Sequence, residues 1–133
     1  MSDTSADRFM YLSDATRRLV LVTAFQKLTG DDLVAIIDRQ RTDGSWPFGL
    51  VYDMRRVEGV ISEREAATVA EHVRIAVAVD GPRGRTALVT NRADVLASGF
   101  EYAYRTSQNI KVEIYQDLQE AIAWVTARPS PRR

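Results

Sequence analysis

The chain has no cysteine and a single histidine, His72, in 133 residues. Without cysteine there can be no disulfide, no thiolate nucleophile and no thiolate metal site. One histidine, with no His-x-x-x-His spacing, leaves little of the usual metal-binding or acid–base inventory, so no metal and no cofactor is expected. Long apolar runs are also missing, which excludes a transmembrane helix. The opening residues, MSDTSAD, have neither the basic start nor the apolar stretch of a secretory signal, and a cytoplasmic address is expected. Charge of one sign is absent too. Eighteen basic residues balance eighteen acidic ones, both halves stay close to neutral, and the electrostatic footprint of a nucleic-acid binder is not there.

What remains is the composition of an ordinary globular protein, 45% apolar and 27% charged, at a length that fits one domain. Phe9 to Leu12 and Leu19 to Phe25 are apolar runs separated by Ser13-Asp14-Ala15-Thr16, and they read as a strand, a turn and an antiparallel strand. The second run is apolar on both faces, as expected of a strand covered on both sides inside a sheet. Thr29 can cap a helix in which Leu33, Ile36, Ile37 and Gln40 share one face, with Gly44 ending it.

Phe48 to Asp53 is a third strand. Ser62 and Glu65 form a capping box for a helix whose Ala66, Val69, Ala70, Val73 and Val77 make a stripe. That helix should end near Val79. The short β-branched run Val73 to Val79 could instead be a strand, and helix is the preferred reading. Arg85 to Thr90 is a fourth strand, after which Asn91 is placed to cap a helix turning Leu96, Phe100 and Ala103 towards the core, with Gly99 on that same face. Lys111 to Tyr115 alternates as a fifth strand, and Asp117 starts a last helix with Leu118, Ala121, Ile122 and Val125 on one face. The expected architecture is α/β: a mixed, mainly parallel sheet of about five strands in successive β-α units, the first strand antiparallel, spanning 8–127. The segments 1–7 and 128–133 are expected to be disordered tails.

In four stretches the chain resembles the STAS-like bacterial domains: LVYDMRR (Leu50 to Arg56), RTALVT (Arg85 to Thr90), SGFEYAYR (Ser98 to Arg105) and VEIYQDLQEAIAWV (Val112 to Val125). These are small domains similar in fold to anti-sigma-factor antagonists and grouped loosely with the lipid-transfer lobe of yeast phosphatidylinositol-transfer proteins. The resemblance runs from about Phe9 to Val125. It implies a regulatory or protein-interaction role without catalysis, through a protein partner or self-association as a homodimer. One departure concerns the phosphorylatable serine that anti-sigma-factor antagonists carry in an Asp-Ser-Ser/Thr-Gly loop. Here the segment from Asp53 to Ser62 is longer and lacks that motif, so phosphorylation is not carried over to Ser62.

Ser62 reads most simply as a helix cap. Arg55 and Arg56 follow the carboxyl end of a parallel strand, where open α/β sheets place ligands, and guanidinium groups hold carboxylates or phosphates. The plainer reading is a solvated pair bridged to Glu58, Glu63 or Glu65. His72 reads as a structural histidine. Asp80-Gly81-Pro82-Arg83-Gly84-Arg85 precedes a strand, whereas a phosphate-cradling loop follows one, so it reads as a turn. Ala97-Ser98-Gly99 lacks the elbow of a hydrolase nucleophile. Among Trp46, Phe48, Tyr52, Phe100, Tyr102, Tyr104 and Trp124, those expected to stay partly exposed are Trp46, Tyr102 and Tyr104, and the group could wall an apolar pocket or a dimer seam. The candidate ligand- or anion-binding residues are Asp53, Arg55, Arg56, Ser62, Tyr102 and Arg105. They suit a second reading, a binder of a small lipophilic or anionic ligand in an aromatic pocket rimmed by arginine.

Overall fold

Local hydrogen-bonding chemistry starts three of the four helices, with side-chain caps at Thr29, Ser62 and Asp117. The computed structural model describes residues 8–127, so the tails expected at 1–7 and 128–133 lie outside the described residues. The strands β1 (Phe9–Asp14) and β2 (Leu19–Ala24) precede helix α1 (Gly30–Asp43) and strand β3 (Gly49–Asp53). Helix α2 (Glu63–Asp80), strand β4 (Thr86–Val89), helix α3 (Ala93–Thr106), strand β5 (Val112–Tyr115) and helix α4 (Leu118–Thr126) follow. Thr29 and Ser62 each form a complete capping box, with Asp32 and Glu65 respectively. Gly44 ends α1 at φ +82°, a left-handed conformation that costs glycine little. Val73 to Val79 is helical, as preferred from the sequence, inside an α2 that runs on to Asp80.

The sheet order is β1-β2-β3-β4-β5, with β1 antiparallel to β2 and every later pair parallel. Each crossover moves one strand along in the same direction. Alternation within the strands divides the interior in two. Val20, Val22, Leu50, Tyr52 and Leu88 face a core built with Ile36 and Ile37 of α1, Val69 and Val73 of α2, and Val95 and Tyr102 of α3. Leu19, Val51, Ala87 and Val89 face the other way, against Ala121, Ile122 and Val125 of α4. Three helices therefore cover one face and one helix the other, which explains why β2 and β3 are apolar on both sides.

Helix α3 departs from expectation. Its N-cap is Arg92 rather than Asn91, and no side chain caps it. The inward stripe is Val95, Gly99, Tyr102 and Thr106, while Leu96 and Phe100 point to solvent. Both stripes fit a helical period. The choice falls to Gly99, where the helix lies so close to the sheet that a Cβ would stand 2.9 Å from Leu88. Only the face carrying that glycine can approach the sheet.

Trp46 and Tyr102 are also buried, contrary to expectation, and of the three aromatics thought exposed only Tyr104 is. Trp46 sits in the core with its indole N–H donating to the Gly81 carbonyl at 2.9 Å. His72 bridges α2 to α1 through Asp38 at 2.8 Å, a structural role.

Candidate functional site

The carboxyl ends of β3 and β4 and the loops that leave them carry the residues singled out from the sequence. Asp53 ends β3 almost wholly buried, and Arg55 forks onto it at 2.9 and 2.8 Å while its own backbone N–H donates to the same carboxylate. Burial raises the Asp53 carboxyl, but these hydrogen bonds and the charges of Arg55 and Arg56 outweigh it and hold the group below the usual carboxylate range. An acid held ionised in this way is not poised to exchange protons near neutral pH. The bridges from the arginine pair to Glu58, Glu63 or Glu65 do not form as expected, because Arg55 takes Asp53 instead. Two residues of separation let a side chain turn back onto the strand end it has just left.

Ser62 accepts the Glu65 N–H at 3.1 Å, and Glu65 returns the contact to the Ser62 N–H at 3.0 Å. The second oxygen of Glu65 accepts from the Gly30 N–H at 2.8 Å, tying the starts of α1 and α2 together. Backbone donors at Ser62 and Gly30 hold the Glu65 carboxyl below its usual range. Arg105 pairs with Glu101 at 2.6 Å, one turn back on α3, and reaches Glu63 at 3.8 Å.

The six candidate residues do not converge. Tyr52 and Leu88 are register partners facing α1–α3, whereas Asp53 and Val89 are partners facing α4. Asp53 and Arg55 thus lie across the sheet from Tyr102. Alternation along β3 carries this signal in the sequence, since adjacent strand residues cannot share a face.

On the α1–α3 side lies an apolar pocket of about 60 Å³. Its walls come from Leu28 and Leu33, from Val57, Val60 and Ile61 of the loop after β3, and from α3, with Tyr52 and Tyr102 as its aromatic members. Neither Arg55 nor Arg56 lines it. Arg92 helps hold the loop by donating to the Val57 carbonyl.

Sequence reasoning missed Arg83. The segment Asp80 to Arg85 is not merely a solvated turn: Arg83 folds inward to 6% exposure, its Nε and Nη2 donating to Gln40 Oε1 at 3.0 and 2.5 Å and its guanidinium lying 5.0 Å from the Trp46 ring centre. The available signal was Gln40, a polar residue on the apolar stripe of α1.

A second surface feature is the outer face of α3. Phe100 is 60% and Tyr104 81% exposed. Leu96, Phe100 and Ala103 form a shallow groove with Val112 and Ile114 of β5, an edge strand of the sheet.

Among the described residues no group of acidic or histidine side chains is arranged to hold a metal ion, and no helix is long and apolar enough to cross a membrane.

No family model matches the chain, and no curated protein does. Solved structures do. An uncharacterized protein from the DUF3478 family with a SpoIIAA-like fold, from Shewanella loihica PV-4, superposes with a TM-score of 0.56 at 13% identity, over 88% of this chain and 91% of that one. The anti-sigma factor antagonist SpoIIAA in its unphosphorylated form superposes equally well, with a TM-score of 0.56 at 20% identity, over 90% of this chain and 99% of that one. The fold is therefore STAS-like, as the sequence resemblance implied.

Proposed function

We propose that this chain is a cytoplasmic, non-catalytic regulatory domain that works by binding a protein partner, and that the partner docks on the outer face of α3 and the neighbouring edge of β5. The SpoIIAA-like fold supports the general class. The observation that carries the docking site is the exposure of Phe100 in the groove beside an edge strand. Large exposed aromatics on a folded surface are characteristic of interaction sites, and aromatic side chains supply much of the energy there. The outer side of β5 offers backbone donors and acceptors to an added strand. An extended partner segment laid along β5 places alternate apolar side chains in the groove between Leu96, Phe100 and Ile114. An extended segment satisfies both features, which a partner helix does not.

The test uses affinity capture followed by reconstitution with the purified partner. Phe100→Asp changes a solvent-facing position and is expected to leave the fold intact, as checked by circular dichroism. It is expected to weaken the reconstituted complex by about tenfold or more, since loss of one central aromatic anchor costs about 2 kcal/mol. Leu12→Asp, at the exposed opposite edge of the sheet, should leave binding unchanged. Equal affinity of the Phe100→Asp variant and the parent overturns the docking site. A strict monomer at high concentration that recovers no partner overturns the function.

A further inference from the structure

Strand β1 is one edge of the sheet, with β2 as its neighbour on the inner side. One hydrogen bond sets the direction of its backbone groups. The Arg8 carbonyl accepts from the Phe25 N–H at 2.8 Å, so in an antiparallel ladder the groups of Met10, Leu12 and Asp14 also turn towards β2. Those of Phe9, Tyr11 and Ser13 therefore turn away from the sheet. Natural edge strands are blunted by lysine, proline, a bulge or an inward charge. Between Phe9 and Ser13, β1 has no proline and no charged residue, and its register with β2 is unbroken.

The side chains point the same way. Met10 and Leu12 stand opposite Thr23 and Leu21 on the face that α4 packs against. Helix α4 lies over β3 and β4, however, so Met10 and Leu12 are each left 56% exposed. Two apolar residues spaced i and i+2 on a bare edge complement themselves in one antiparallel register. With Tyr11 opposite Tyr11 of a second copy, Met10 falls opposite Leu12, Phe9 opposite Ser13, and Arg8 opposite Asp14. The outward-turned residues then form the hydrogen-bonded pairs, and Met10 with Leu12 forms the non-hydrogen-bonded pair whose side chains approach most closely. Unlike charges face each other at both ends. Slipping the register by one residue opposes outward to inward backbone groups and loses the ladder. Slipping it by two sets Asp14 against Met10, or Arg8 against Leu12.

We propose that β1 is a self-association edge: two copies pair their β1 strands antiparallel about a twofold axis at Tyr11, joining their sheets into one. The partner at this surface is a second copy of the chain. It lies at the opposite side of the sheet from β5, leaves the outer face of α3 outside the contact, and does not depend on the docking reading.

The test is sedimentation equilibrium of the purified chain at concentrations up to about 1 mM, where a reversible monomer–dimer equilibrium is expected with a Kd of about 100 µM or tighter, as suits a small interface. Leu12→Lys puts at an exposed position the residue that guards natural edges and should weaken the dimer about tenfold or more. Ser13→Pro removes an outward N–H and should act in the same direction, since proline is tolerated where a strand's N–H faces solvent. Circular dichroism checks that both variants fold. Phe100→Asp should dimerise as the parent does. Because the chain has no cysteine, an equimolar mixture of Met10→Cys and Leu12→Cys reports the register without needing either of the first two variants. On oxidation the mixed disulfide should form about tenfold faster than the disulfide of either variant alone. A monomer throughout the concentration range, a dimer unaffected by Leu12→Lys, a dimer lost in Phe100→Asp, or a mixed disulfide that forms no faster overturns the proposal.

Discussion

Replacing Gln40 with leucine removes the acceptor that, among the described residues, takes both the Nε and the Nη2 of the Arg83 guanidinium, while preserving the apolar surroundings and helix propensity of α1. The side chain is wholly buried, so no solvent rearrangement around it can restore the lost contacts cheaply. Hydrogen bonds to charged groups contribute about 1.5–3 kcal/mol each, and stripping a partner from a buried charge costs about 3–5 kcal/mol. Gln40→Leu is therefore expected to destabilise the chain by about 3 kcal/mol, or about 10 °C in Tm for a domain of this size. Arg83→Met removes the charge together with its requirement and should cost less, about 1–2 kcal/mol, mainly for the oxygen of Gln40 left without a donor. The double variant leaves neither a stranded cation nor a stranded acceptor, and its cost should fall short of the summed single costs by about 1.5 kcal/mol or more. Urea denaturation of the four proteins, followed by far-ultraviolet circular dichroism and by Trp46 fluorescence, measures the cycle. Additivity within about 0.5 kcal/mol would refute the reasoning, because it would mean that the guanidinium does not rely on Gln40.

Two further perturbations probe local devices. Ser62→Ala removes the hydroxyl that accepts the Glu65 N–H and should cost about 1 kcal/mol in urea denaturation, whereas Ser62→Asp, itself a good cap, should be nearly neutral; equal losses in both would count against a capping role. Asp32 is buried, which raises its carboxyl, yet hydrogen bonds from Arg8 and Thr29 prevail and hold it below the usual range. Its stabilising effect is full above the unfolded-state value of about 4 and is lost as pH falls through the lower folded-state value. Asp32→Asn should therefore lower stability at neutral pH and flatten its decline below about pH 4; an unchanged slope in that range would discount this carboxylate as a source of acid sensitivity.

The parts of the fold that could be read directly are those written in a few consecutive residues. Thr29 with Asp32, and Ser62 with Glu65, mark helix starts because the cap hydroxyl and the backbone it serves are three residues apart. The stripe Leu33, Ile36, Ile37 and Gln40 is buried as read, since α1 offers one apolar face and no rival. Helix α3 offers two. Leu96 and Phe100 are larger than Gly99, and a reading based on hydrophobicity prefers them, but the sheet selects the face that permits close approach. The candidate site divided for a related reason. Asp53 and Arg55 satisfy each other on the α4 side, while Tyr102 is drawn to the opposite core.

From its sequence alone the chain determined the kind and order of its elements, the caps that begin α1, α2 and α4, and the antiparallel entry into a parallel sheet. These follow from hydrogen bonds and periodicities that span at most a few turns of backbone. Only the tertiary structure decided which face of α3 turns inward, that Phe100 and Tyr104 remain outside, and that Arg83 enters the core against a glutamine 43 residues earlier. Such outcomes depend on where distant segments meet, and the energy of a buried guanidinium is set by those neighbours rather than by the residues beside it in the chain.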